Sequence, residues 1–473
     1  MGETIRRAGE KDHYEVSHAQ KRLWIAAQTD RNDTSYNIFG AYGMEGDLDV
    51  SVLEKSLTAF IRRHEITRTN IITVNGEPRQ IIRDWESRAF KVEVVDIECE
   101  AEIGKYCQIE FEQQFNLEKD LLLKAKLLRS NSRKHFLLFT MHHIISDAWS
   151  LTILAKEVIT LYESFKNNVP MLPLQPLAIQ YKDYAEWHNA QLRNGALQTH
   201  REYWSRRFKD KIPSMDFPTD FERPAERTLN GDSVYGKIDQ PLFGELKLQS
   251  TRYETSIFTM MIAAVSSLFY RYTGQGDIVF KTPVSGRTEK AMEDQIGFYI
   301  NTLPLYTRIR EGMTFTELLA EVKRETVESF THQTYPIDDL IEYFKIKKID
   351  GRSPLSDIVI LYLNSSSHSD PLDKMVDVKI SEVDLNTRIN KFDLRIVFGE
   401  TPEALNVKID YNIDLYKKAT IELLLSRLTR IVEVFTRNPI ERIDQIEFTI
   451  DNSRQTIVEQ GEYAQAFSGF NFN

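Results

Sequence analysis

The chain has 473 residues, 41% hydrophobic and 27% charged, a balance that suits a soluble globular protein with one or more full cores. Its 60 basic and 70 acidic residues give a formal charge of -10, which removes the electrostatic case for nucleic acid or anionic membrane partners. Cys99 and Cys107 are too few for a disulfide framework or a structural zinc site, no stretch reaches the roughly 20 apolar residues that span a bilayer, and the mixed-charge N-terminus is no signal peptide, so a cytoplasmic setting is expected.

In chain order, a helix is predicted over Ser17 to Gln28 and a second over Val50 to Glu65, where Val52, Leu53, Leu57, Phe60 and Ile61 form an apolar stripe. Thr69 to Val74 and Gln80 to Arg83 flank Asn75-Gly76 and read as a hairpin. Residues 101–116 read as a helix, 121–129 and 135–143 as strands, and 147–166 as a helix. Pro170, Pro173 and Pro176 then forbid a continuous helix and mark the best boundary in the chain. Beyond it lie a helical stretch over Tyr181 to Phe208 and an irregular segment with Pro213, Pro218 and Pro224. A second mixed block starts near Ser233. That block has helices at 255–272, 314–330 and 417–437 and strands at 277–283, 302–309, 356–363, 391–399 and 404–411. The expected fold is α/β with mixed sheets, divided as 1–175, 176–452 and a tail or linker at 453–473, with a site between the two large units.

Chemistry concentrates at residues 141–150, Met-His-His-Ile-Ile-Ser-Asp-Ala-Trp-Ser, where an apolar strand meets a helix that Ser146 or Asp147 can cap. The two histidines end that strand and so must face opposite ways, which disfavours a shared metal and allows only one of them to face a given cavity. Two readings stay open on the residues alone: core histidines beside a capping aspartate, or one imidazole acting as base or acceptor toward a nucleophile.

Seven segments in order resemble the motifs of nonribosomal peptide synthetase condensation domains, of the chloramphenicol-acetyltransferase-like superfamily. They are Ser17 to Trp24, Arg63 to Thr69, the His-His-xxx-Asp-Gly signature at 142–148, Tyr181 to Trp187, Ile296 to Thr302, His332 to Pro336, and a shortened form at Arg352 to Leu355. Pro283 to Arg287 and Lys391 to Leu394 are also similar to family segments.

The resemblance implies two acetyltransferase-like lobes in a V with a tunnel between them. It further implies an acyltransferase that forms an amide between a donor acyl or peptidyl thioester and the amine of an acceptor aminoacyl thioester. Upstream donor and downstream acceptor peptidyl carrier domains would bring these on phosphopantetheine arms, with no cofactor permanently bound and no metal. A neighbouring adenylation domain, a monomeric state and a role in antibiotic or siderophore biosynthesis are further implications.

By position His143 becomes the catalytic histidine, as base or as anchor for the amine. His142 packs or orients the loop, and Asp147 braces it through Arg63, Arg68 or Arg287. Leu151 after Ser150, where epimerisation relatives carry tryptophan, and the intact histidine pair fit an amide-forming member, and Ile144 to Asp147 with Arg63 to Ile66 resemble the type that takes an L-configured donor. The departure is Ala148 in place of glycine, costly if that glycine needs a positive φ and minor if it only leaves room. The alternatives are a catalytically silent module that docks carriers, and a free-standing acyltransferase with a soluble amine or alcohol acceptor.

Overall fold

The computed structural model describes residues 4–29, 34–84, 90–169, 174–208, 213, 215, 217–345, 352, 355–364, 375, 377–383 and 390–448. Pro170 and Pro173 of the expected connector, Ser353 and Pro354 of the seventh motif, and the 453–473 tail lie outside the described residues.

The first half runs β1 (Tyr14–Glu15), α1 (His18–Thr29), β2 (Asn37–Gly46), α2 (Val50–Arg63), β3 (Thr69–Val74), β4 (Glu77–Ile82), β5 (Glu93–Asp96), α3 (Ile103–Phe111), β6 (Leu123–Arg129), β7 (Lys134–His142) and α4 (Ala148–Lys166). The second runs α5 (Tyr181–Arg193), α6 (Gln198–Arg207), β8 (Gly231–Ile238), α7 (Leu242–Arg252), α8 (Ile257–Thr273), β9 (Asp277–Val284), β10 (Asn301–Arg308), α9 (Phe315–Thr331), α10 (Ile337–Tyr343), β11 (Ile358–Asn364), β12 (Val378–Glu382), β13 (Leu394–Glu400), β14 (Leu405–Asn412) and α11 (Lys418–Arg437).

Local chemistry sets the main helices. Asp49 caps α2 by accepting from the Ser51 and Val52 N–H groups, and Leu53, Leu57, Phe60 and Ile61 bury one stripe. Helix α8 is buried almost all round from Ile257 to Phe269, starts at the Ser256 cap and stops at Gly274, whose φ of 67° suits glycine. Thr314 and Glu317 make a reciprocal capping box on α9.

The fold is mixed α/β. A five-stranded sheet has the order β12-β2-β7-β6-β5, a six-stranded sheet β10-β9-β11-β13-β14-β8, and a small sheet β1-β4-β3. Parallel pairs β5/β6, β11/β13 and β9/β11 sit among antiparallel ones.

The halves trade segments. Strand β12 of the second half closes the first sheet by pairing with β2, Ile380 opposite Met44. Ile179, Tyr181, Tyr184, Met292, Ile296, Phe298 and Tyr299 all join the first half's core.

Two expectations change. The helix expected over Tyr181 to Phe208 is two, parted at Gly195, whose φ is 80°. Strand β7 ends at His142, and His143 opens a single 3-10 turn, so strand alternation does not relate the two imidazoles.

Candidate active site

The corner is built by β7, the turn after it and the first turn of α4. Asn37 of β2 pairs with His142, and the His143 N–H donates to the Tyr36 carbonyl at 2.8 Å. The His143 Nδ1 lies 2.7 Å from the Ser146 carbonyl oxygen. A carbonyl only accepts, so Nδ1 carries the proton and Nε2 keeps its lone pair. Burial first, then the Lys391 charge, pushes the imidazole down to about 4, which leaves it neutral near pH 7. The ring stands 4.7 Å from that of Phe298.

His142 does different work. Its Nδ1 accepts from the Ile144 N–H at 3.1 Å, which shapes the turn, and its ring meets Phe115 edge-on at 6.2 Å. Burial pushes it down to about 3, so it too is neutral.

Asp147 is fully buried and caps α4, accepting from the Ser150 N–H at 2.9 Å and hydroxyl at 2.6 Å. The same carboxylate takes two bonds from Arg287, at 2.7 and 3.0 Å, and one from the Tyr299 N–H at 3.2 Å. The Arg287 guanidinium also donates to the Ser150 hydroxyl and the Gln295 carbonyl and lies 4.4 Å from the Tyr299 ring centre. One carboxylate thus holds a helix start in the first half to a loop more than 135 residues on.

Of the three arginines considered for Asp147, only Arg287 reaches it. Arg63 is turned to Glu157, 3.1 Å from each carboxylate oxygen, where His64 Nε2 also bonds at 2.8 Å. Arg68 donates to the Arg83 carbonyl at 2.7 Å and lies 3.8 Å from Glu65. Arg63 ends α2 and faces α4, whereas Arg68 ends the short turn before β3 and faces the residue after β4, so neither supports the Asp147 loop.

Ala148 is the first residue of α4 and is not among the residues with positive φ. A glycine there has no conformational privilege to lose, and the alanine adds one buried methyl.

Several residues at the corner were not singled out as functional from sequence. Ser150 accepts from the Gly297 N–H at 3.1 Å, and its one hydroxyl proton, given to Asp147, also lies toward the Gly297 carbonyl 3.0 Å away. A Cβ on Gly297 would stand 2.0 Å from the Tyr181 ring, so only glycine fits. The Tyr181 hydroxyl donates to the Phe298 carbonyl and bonds to Ser17, each at 2.7 Å, which joins the first, fourth and fifth motifs. Asn301 donates to the Gln333 and Tyr335 carbonyls and so holds the sixth motif. For Tyr181, Gly297 and Asn301 the signal was membership of the motifs, whereas Ser150 lies two residues past the signature.

A cavity of about 30 Å³ lies beside this knot, lined by His18, Arg22, Tyr184, His188, Tyr299 and Asp338 among others. Arg22 links it to the corner, with its guanidinium 5.8 Å from the Phe298 ring. Among the described residues no group of three or more His, Cys, Asp or Glu is placed to hold a metal ion, and no helix is long and apolar enough to cross a membrane. Chemically, the corner offers one neutral imidazole with an accepting Nε2, locked in its tautomer and braced by a buried ion pair. It suits accepting a hydrogen bond or proton from an amine or a hydroxyl.

A family profile described as "Condensation domain" matches residues 10–458. The chain is 33% identical over 456 residues to bacitracin synthase 2 of Bacillus licheniformis, covering 96% of this chain and 17% of that one. It is 32% identical over 466 residues to surfactin synthase subunit 2 of Bacillus subtilis (strain 168), covering 98% of this chain and 12% of that one. The chain therefore spans less than a fifth of the length of these relatives. Among solved structures, the X-domain from teicoplanin biosynthesis superposes with a TM-score of 0.85 at 21% identity, over 94% of this chain and all of that one. The first condensation domain of the CDA synthetase gives 0.73 at 18%, over 92% of this chain and 98% of that one. At such identities the structures speak for the fold alone.

Proposed function

The chain belongs to the condensation-domain family, and from that premise we propose that it forms an amide between a donor acyl or peptidyl thioester and the amine of an acceptor aminoacyl thioester. Both arrive on phosphopantetheine arms of peptidyl carrier domains, upstream and downstream, and meet at His143 in a passage between the halves. The new C–N bond forms as the donor C–S bond breaks, the thiol leaves with one proton, and the acceptor keeps its own thioester. A product of the peptide-antibiotic class, a neighbouring adenylation domain, a cytoplasmic setting and a monomeric state belong to the same reading.

The observation that carries it is the His143 tautomer. Nδ1 is spent on the Ser146 carbonyl, which leaves Nε2 to receive an N–H from the acceptor amine. Magnitudes decide its role. An α-ammonium has a pKa of about 8, so handing its proton to an imidazole at about 4 is uphill by about 5 kcal/mol. The amine must enter as the free base. His143 then aims it, receives its proton as the bond forms, and leaves much of the rate to proximity. Asp147, through Arg287 and Ser150, positions the turn without moving a proton.

The test loads candidate donor and acceptor carriers, adds this chain and looks for the dipeptidyl thioester by mass spectrometry. Formation with a competent pair and a loss of about 100-fold in His143→Ala are expected. Silence with every pair refutes the activity, and a His143→Ala variant as fast as the parent refutes the role of His143.

A further inference from the structure

The His143 tautomer depends on the shape of one short turn. Nδ1 reaches the Ser146 carbonyl because the turn His143–Ile145 folds back on itself, closed by the Ser146 N–H on the His143 carbonyl at 3.2 Å. Ile144 and Ile145 in that turn are fully buried. A side chain of α1 enters there. Gln20, itself fully buried, donates from Nε2 to the Ile144 carbonyl at 3.1 Å.

The other end of that amide is committed. Its oxygen accepts from the Ser17 N–H at 3.1 Å, and the Ser17 hydroxyl oxygen accepts from the Gln20 N–H at 3.1 Å, a reciprocal capping box at the start of α1. With its oxygen taken, the amide has only its NH2 to offer, so its orientation is fixed. Ser17 in turn bonds to the Tyr181 hydroxyl, which holds the Phe298 carbonyl, and the Phe298 ring packs on the His143 ring. One chain of bonds thus ends on both sides of the imidazole, at the backbone of its turn and at the ring that faces it.

Capping alone does not account for a glutamine. A glutamate completes the same box through one oxygen and suits the helix dipole better, yet the first turn of α1 holds no acidic residue. What the amide adds is the donor for Ile144.

We propose that Gln20 is a positioning residue for the reaction at His143: its amide pins the Ile144 carbonyl and so keeps the Nδ1 proton on Ser146 and the Nε2 lone pair free for the acceptor amine. The inference rests on the amide-forming reading above. Gln20 touches no substrate and moves no proton.

The discriminating variant is Gln20→Glu, which keeps the capping box but sets a second oxygen against the Ile144 carbonyl. At about pH 8.5 a glutamate at a helix N-terminus is ionised and an α-amine is largely free base. Amide formation between loaded carriers is followed there in the parent, Gln20→Glu and Asn70→Ala, each scaled to its folded fraction. Asn70 serves as the control because it is another buried amide, bonded to the Leu117 and Asp120 carbonyls. Gln20→Glu is expected to lose about 10- to 100-fold in the rate at saturating carriers, with half-saturation by either carrier changed less than about twofold. In the protein without carriers, long-range proton–nitrogen correlations of the His143 ring show which nitrogen bears the proton. The parent should show Nδ1–H alone and Gln20→Glu a mixture with Nε2–H, while Asn70→Ala matches the parent in both readouts.

Parent-level turnover in Gln20→Glu, a loss confined to half-saturation, an unmoved tautomer, or an equal loss in Asn70→Ala each overturns the proposal. Should Gln20→Glu fold poorly, Gln20→Met, which keeps neither side-chain bond, takes its place with the same expectations. A parent that forms no amide counts against the amide-forming reading instead, and the ring tautomers of parent and variant then decide the positioning by themselves.

Discussion

Helix α4 carries two buried carboxylates, and each meets an arginine. Glu157, in its middle, binds Arg63 and His64 from the end of α2, so that pair fastens two neighbours within one half. Asp147, at its start, binds Arg287 and the Tyr299 N–H, so it fastens the two halves and does so beside His143. The chemistry of the two pairs is the same, but their consequences differ. Burial also differs: Arg63 is 17% exposed, whereas Arg287 and Asp147 are 1% and 0% exposed. Water can compensate part of the first pair and none of the second.

Substitutions can break this contrast. The largest effect is expected for Arg287→Met, which strands a buried carboxylate and costs about 3–5 kcal/mol. Denaturant unfolding should show that loss, and amide formation should fall further than the folded fraction does. If turnover per folded molecule is intact, the Asp147 pair is no different in kind from the Glu157 pair.

Glu157→Gln comes next, at about 1.5–3 kcal/mol, because hydrogen bonds to charged groups are lost while Arg63 can turn to solvent. Its turnover per folded molecule should be unchanged, which a carrier-based assay beside a melting curve would check. The smallest effect is expected for Ala148→Gly, which alters only the first helical residue. It should cost up to about 1 kcal/mol and leave turnover near the parent value, and a strong gain in turnover would mean that the methyl blocks the passage.

Much of this was legible in sequence, for physical reasons. Helices α2, α9 and α11 announce themselves by apolar spacing, and the Asn75-Gly76 turn by its residues. The His143 corner was visible as a strand that runs into a cap. Strand β2 was not, because Gly40, Gly43 and Gly46 argue against a strand in any local reading. The structure shows why one of them is there: a Cβ on Gly40 would lie 2.5 Å from the Phe139 ring. The partner of Asp147 was equally hidden. Arg63, Arg68 and Arg287 look alike along the chain, and only the return of the 285–300 loop to the first half separates them. The 3-10 turn at His143 also escaped, since one residue of strand more or less leaves no trace in composition.

The exchange of β12 into the first sheet bears on how such a chain comes to be folded. During synthesis the strand that flanks β2 emerges more than 300 residues after it, so until then β2 is an open edge able to pair with other chains. The sheet that runs into the His143 turn is therefore finished late and from outside its own half. Cutting the chain between α4 and α5 would separate a sheet from one of its own strands.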